Sequence, residues 1–176
     1  MFYPRLSQTC LHLASGIIVA LTMLMGSCSI TSARTPGSLT DNLTVPRAQQ
    51  LPITAVAQLG SQEIFLEVAS TPEQQSLGLM YRDPLPADRG MIFPMLRPRP
   101  VSFWMKNVPV PLDMVFIYQG KIRAIIANVP PCEIDPCPIY GPNNQIVDQV
   151  IELRSGRAAE LGLSAGDRVV IKPLTR

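Results

Sequence analysis

FWMKNVPVPLDMVF, residues 103–116, is the stretch on which the fold reading turns. Both of its ends are apolar, and the middle holds Pro109 and Pro111. Proline has no N–H for a ladder bond, so these two residues belong in a connection between strands. A symmetric antiparallel register then sets Lys106 opposite Asp113, Met105 opposite Met114, Trp104 opposite Val115 and Phe103 opposite Phe116. Directly opposed residues share a face. One face is ordinary core, with Phe103, Met105, Met114 and Phe116. The other carries Trp104, Lys106, Asp113 and Val115, which predicts a cross-strand charge pair beside an indole at the mouth of a hairpin.

Working outward, the flanking sequence keeps the same character. ITAVAQL (53–59) and IFLEVA (64–69) surround Gly60-Ser61 and read as a hairpin. Thr71 caps a short helix, with Pro72 at its first position and Glu73 in its first turn. GMIFPM (90–95) and VSFWMK (101–106) are strand-like runs separated by LRPRP. MVFIYQGKIRAIIANV (114–129) is a second hairpin, turning at Gln119-Gly120. QIVDQVIEL (145–153) is a further strand with partial alternation. GRAAELGL (156–163) is a short helix ended by Gly162, and SAGDRVVIKP (164–173) closes on a strand. Short strands, two short helices, no βαβ alternation and prolines at strand ends predict a mainly-β fold. It is a compact barrel or sandwich of mostly antiparallel strands.

The chain has 176 residues, enough for one domain with a real core. Fifteen Lys and Arg stand against 13 Asp and Glu without a basic cluster, so nucleic acid is not an expected partner. Residues 1–28 read as an export signal. Arg5 precedes an apolar run, Leu11 to Met25, that is short for a membrane span. Met25 to Cys28 is similar to a bacterial lipobox, which makes Cys28 a candidate for lipidation and gives the domain a membrane anchor. Cleavage after Ala33 and an uncleaved anchor are the alternatives. Each places the domain outside the cytoplasm, on the periplasmic face of a membrane or secreted. Residues 29–51 are rich in Pro, Gly, Ser and Thr and read as a flexible tether, with the domain occupying 52–176. In an oxidising compartment, Cys132 and Cys137 in PPCEIDPCPIY are expected to form a disulfide; redox activity and metal binding are the sharper alternatives. The sole histidine, His12, lies in the signal. Ser-His-Asp and Cys-His catalysis are therefore excluded for the domain, as are His-ligated metal sites.

GLMYRDPLPADRGMIFPM, then FWMKNVPVPLDMVFI, then ELGLSAGDRV closely resemble the DUF192 family, over about Gln62 to Lys172. The resemblance implies one small mainly-β domain, often behind a secretory or lipoprotein signal. It implies no established biochemical activity. Its recurring polar and aromatic positions fall on Arg82, Trp104, Lys106, Asn107 and Asp113, with Met80 and Gly90 beside them. Val108 departs from the family's frequent Thr, and the CEIDPC loop lies outside the core pattern.

Three functions compete. The first is a binding or accessory module of the cell envelope for a small polar or anionic ligand. Trp104 would form an apolar wall, Arg82 and Lys106 would hold the anionic group, and Asn107 and Asp113 would orient them. Each has a structural alternative: Trp104 in the core, Arg82 capping a helix, Asn107 starting a turn. The second is a histidine-independent hydrolase using carboxylates or lysine, with Asp113, Lys106, Asp83 and Glu67 as candidates. The third is Cu(I) handling by Met80, Met91, Met95, Met105 and Met114, whose alternative is core packing. No cofactor is implied.

Overall fold

The computed structural model describes residues 47–174. The signal, Cys28 and most of the tether lie outside the described residues. No helix among the described residues is long and apolar enough to cross a membrane.

The expected β1–β2 hairpin joins Ile53–Leu59 to Gln62–Val68. Gly60 turns at φ +56, where a Cβ would stand 2.7 Å from the Leu161 carbonyl oxygen. Helix α1, Pro72–Leu77, begins at a capping box in which Thr71 and Gln74 satisfy each other's backbone N–H groups. Strand β3 spans Arg89–Arg99, the two-residue β4 spans Phe103–Trp104, and β5 spans Leu112–Tyr118. The turn into β6, Lys121–Val129, has positive φ at both Gln119 and Gly120, which matches the twist of a two-residue hairpin. Short β7 is Ile139–Tyr140 and β8 is Val147–Arg154. Helix α2, Arg157–Glu160, and β9, Val170–Pro173, complete the order.

Seven strands form one sheet in the order β6-β5-β8-β3-β2-β1-β9, while β4 and β7 form a separate ribbon. The sheet is curled into a half-barrel, so the mainly-β reading holds. Near its ends, the segment leading into β9 bonds to the start of β6: Ile122 N–H donates to Asp167 O at 2.9 Å and Val169 N–H to Gly120 O at 2.9 Å. Two local expectations differ. β2 and β3 are parallel, with α1 in the connection, so one βαβ unit exists after all. Helix α1 buries none of its residues, and a helix without an apolar stripe gives no periodic signal. LRPRP does not separate two strands either, because β3 runs on through it. Its ladder with β8 holds from Met91 to Pro94 and shifts register before Arg99. Pro94 and Pro98 lack the donors that would keep the register.

The sheet has two apolar faces. Ile64, Leu66, Val115, Ile117, Ile151 and Leu153 pack together on one. Met91, Phe93, Met114, Phe116 and Val150 pack on the other, with Phe103 of β4 laid against them. A strand buried on both sides reads as a continuous apolar run, which is why β5 is MVFI rather than alternating.

Candidate functional site

The structure separates the two charges that the stretch 103–116 suggested pairing. β4 pairs with β7, setting Phe103 opposite Tyr140 and Trp104 opposite Ile139. β5 lies between β6 and β8. Asn107 adopts a left-handed conformation at φ 57, and Val108 N–H turns back onto Met105 O at 3.2 Å, so no ladder to β5 can start there. Lys106 reaches Asp135 Oδ1 at 3.7 Å and stands 5.5 Å from the centroid of the Trp104 ring. It faces a hollow of about 100 Å³ beside the Cys132–Cys137 disulfide, which is formed as expected.

Asp113 is fully buried elsewhere. Its Oδ1 accepts from the N–H groups of Asn128 at 2.8 Å and Gly156 at 3.1 Å, and its Oδ2 from that of Ala158 at 2.8 Å. Gly156 has no side chain with which to cap α2, so the carboxylate of β5 does so across the fold. Three backbone donors thus stabilise this charge in place of an ammonium.

Arg82 is committed as well. Its Nη2 donates to Glu67 Oε1 at 2.8 Å, and its Nη1 donates to Glu67 Oε2 at 3.0 Å and to Gln49 O at 2.9 Å. Leu51 N–H donates to Glu67 Oε2 at 2.9 Å, so the pair pins residues 49–51 to the domain. Asn107 accepts from Tyr81 N–H at 2.8 Å and serves the turn. Of the carboxylates considered for hydrolysis, Glu67 and Asp113 therefore have structural partners. Among the methionines, Met91, Met105 and Met114 are core filler, and Met80 and Met95 are half-buried beside it.

A different site emerges between α1 and the β3–β4 segment. Gln75 holds the two sides together, its Nε2 donating to Ala69 O at 3.1 Å and to Pro94 O at 2.8 Å. The groove has an inner hollow of about 30 Å³ and an outer one of about 320 Å³. Gln75, Ser76, Phe93, Phe103 and Trp104 line both. The rings of Phe93 and Phe103 meet edge to face at 5.2 Å, and Trp104 stands 48% exposed at the mouth. The outer hollow reaches Met95 and Arg99 and continues past Arg97 into a further space of about 410 Å³. Both arginines are exposed, and neither has an acidic partner among the described residues.

Glu152 lines the inner hollow. This residue sits on central strand β8, directly opposite Met91 of β3 and Met114 of β5, and is 5% exposed. No cation lies within ion-pair distance of it among the described residues. Burial alone pushes its carboxyl up to about 8. At that value it is largely uncharged at neutral pH and able to donate a hydrogen bond.

Sequence reasoning passed over Glu152. In QVIEL, Ile151 and Leu153 form the apolar side, and Glu152 with Arg154 reads as the solvent side. Only the distant cover of α1 and β4 makes that side an interior.

The family model DUF192, described as "Uncharacterized ACR", matches residues 54–171. There is no match among curated proteins. A candidate transcription regulator from Sinorhizobium meliloti 1021 is similar in structure, with a TM-score of 0.60 and 37% identity over 66% of this chain and 92% of that one. A protein of unknown function from Novosphingobium aromaticivorans DSM 12444 gives a TM-score of 0.56 and 31% identity, over 66% of this chain and 83% of that one.

Proposed function

The chain belongs to the DUF192 family, and from that premise we propose that it is a binding module for a small ligand with an apolar body and an anionic end, held in the groove between α1 and β3–β4. The observation that carries this reading is the continuity of the hollow. Aromatic rings floor it, and unpaired Arg99 and Arg97 stand at its outer end. Apolar walls with a few charged groups at one end are the ordinary construction of a small-molecule site. The anionic preference expected for Lys106 and Arg82 passes to Arg99, with Lys106 left against Trp104.

The N-terminal sequence and the disulfide support a place for this module in the cell envelope, anchored through lipid on Cys28 at the periplasmic face or secreted. Mass spectrometry of the mature N-terminus tests the anchor: a diacylglycerol-modified Cys28 supports it, and an unmodified chain beginning at Arg34 overturns it in favour of secretion.

Trp104 is the only tryptophan of the chain, so its fluorescence reports directly on the groove. Titration with hexanoate should shift that emission saturably, and Arg99→Gln should weaken the binding by about tenfold, the value of one charge-assisted contact. An emission that ignores hexanoate, octanoate and decanoate alike overturns the reading.

A further inference from the structure

We propose that the inner end of the groove binds a primary ammonium group, with Glu152 as its counter-ion and Phe93, Phe103 and Trp104 as its aromatic walls. The inference rests on the groove reading above and adds to it a second, oppositely charged end of the ligand. Three observations converge on it. The carboxyl of Glu152 belongs to a buried residue that lines the inner hollow, and it lacks a cationic partner among the described residues. The hollow, about 30 Å³, has room for an ammonium head or a pair of waters but not for a bulky group. Its walls include the rings of Phe93, Phe103 and Trp104, and aromatic π faces attract cations.

The surroundings leave this role to Glu152 alone. β3 presents Met91 and Phe93, and β5 presents Met114. From α1 and the turn after it come Gln75, Ser76 and Met80; from β4 come Phe103 and Trp104. None of these ionises in the ordinary range. Arg99 lines the outer hollow, and Lys106 lies against Trp104 and pairs with Asp135. Asp113, although on adjacent β5, turns its carboxylate to the N–H groups of 128, 156 and 158.

The proton balance is simple. Before binding, the O–H bond of the Glu152 carboxyl is intact and the ligand carries –NH3⁺. On binding, that O–H bond breaks, the carboxylate pairs with the intact ammonium, and one proton leaves to solvent. Because the empty site titrates at about 8, amine affinity should rise about tenfold per pH unit from 6 to 8 and level off above it.

The test uses the full chain and Trp104 emission, with three probes of one skeleton: hexylamine, hexanol and hexanoate. Hexylamine should bind with the stated pH profile and release one proton, read by calorimetry at pH 7 in two buffers of different ionisation heat. Hexanol should bind at least tenfold more weakly. Glu152→Gln keeps the shape of the side chain, and it should cost hexylamine about tenfold while leaving hexanoate unchanged. An alanine pentapeptide with a free or an acetylated N-terminus tells a peptide end from a small amine as the source of the ammonium. Hexylamine binding that is flat from pH 6 to 9, or releases no proton, overturns the inference even if the Gln variant does not fold. Hexanoate binding without hexylamine binding overturns this inference alone. Hexylamine binding without hexanoate binding overturns only the anionic end of the groove reading.

Discussion

Adjacent strands β5 and β8 bury a carboxyl each, Asp113 and Glu152, on opposite faces of the sheet, and the fold treats them in opposite ways. On the face of Val115 and Ile117, Asp113 gathers three backbone N–H groups and joins β5 to β6 and α2. On the face of Val150 and Phe116, Glu152 has no such donors and looks into a hollow. Burial without partners penalises the charged form, whereas burial among aligned donors sustains it. The first carboxyl holds the chain together. The second bears a desolvation penalty that no hydrogen-bond donor offsets, which marks it as a candidate functional group.

Removing each carboxyl should therefore move stability in opposite directions. The larger effect belongs to Asp113. Asp113→Ala deletes three hydrogen bonds to the carboxyl and strands the buried Ala158 N–H, at a cost of about 4 kcal/mol. Urea unfolding measures it, and a loss below about 1 kcal/mol would end the distinction between the two faces. Glu152→Leu should instead leave stability unchanged or raise it. Its signature is a pH profile. The folded carboxyl titrates at about 8 against 4.5 for the free group, so the folded state holds an extra proton between those values. Stability of the wild type should then fall from about pH 5 to 8, by on the order of 4 kcal/mol, and level off above. Glu152→Leu should flatten that slope, as followed by thermal unfolding across the window. A wild-type profile that rises over the same range would show that Glu152 is ionised at neutral pH.

The asymmetry between the faces also marks how much the sequence could tell. Local chemistry was legible: the cap at Thr71, the turn at Gln119-Gly120, the Cys132–Cys137 pairing; the burial of β5 on both faces was not, since Asp113 and Val115 were expected at a hairpin mouth. Features that depend on distant chain were not. β4 finds its partner across the whole disulfide loop, so two residues of strand carry no register of their own. The parallel pairing of β2 with β3 hides behind a helix without an apolar stripe. Of the candidate site residues, Trp104 does line the groove and Lys106 lies against Trp104 facing another hollow, whereas Arg82 and Asp113 have structural partners elsewhere. Glu152 was invisible because a lone acid on an alternating strand has the pattern of a wet face, and only the lid formed by α1 and β4 reverses that meaning.

The finest comparison is between Asp113 and Lys106, since the apolar run that holds both invites their pairing. Lys106 belongs to an exposed contact with Asp135, a type of pair worth about 0–1 kcal/mol. Lys106→Met should change unfolding stability by less than about 0.5 kcal/mol, because the stem still covers Trp104 and only a screened charge is lost. Combined with Asp113→Ala, the two effects should add within about 0.5 kcal/mol, as expected for sites without shared partners. A coupling of 1 kcal/mol or more in this double-mutant cycle would restore the cross-strand pair and dissolve the contrast between the faces, since Asp113 would then carry a ligand-accessible charge of its own. A second cycle, Lys106→Met with Asp135→Asn, should show the small coupling that the first lacks and that fades as salt is raised.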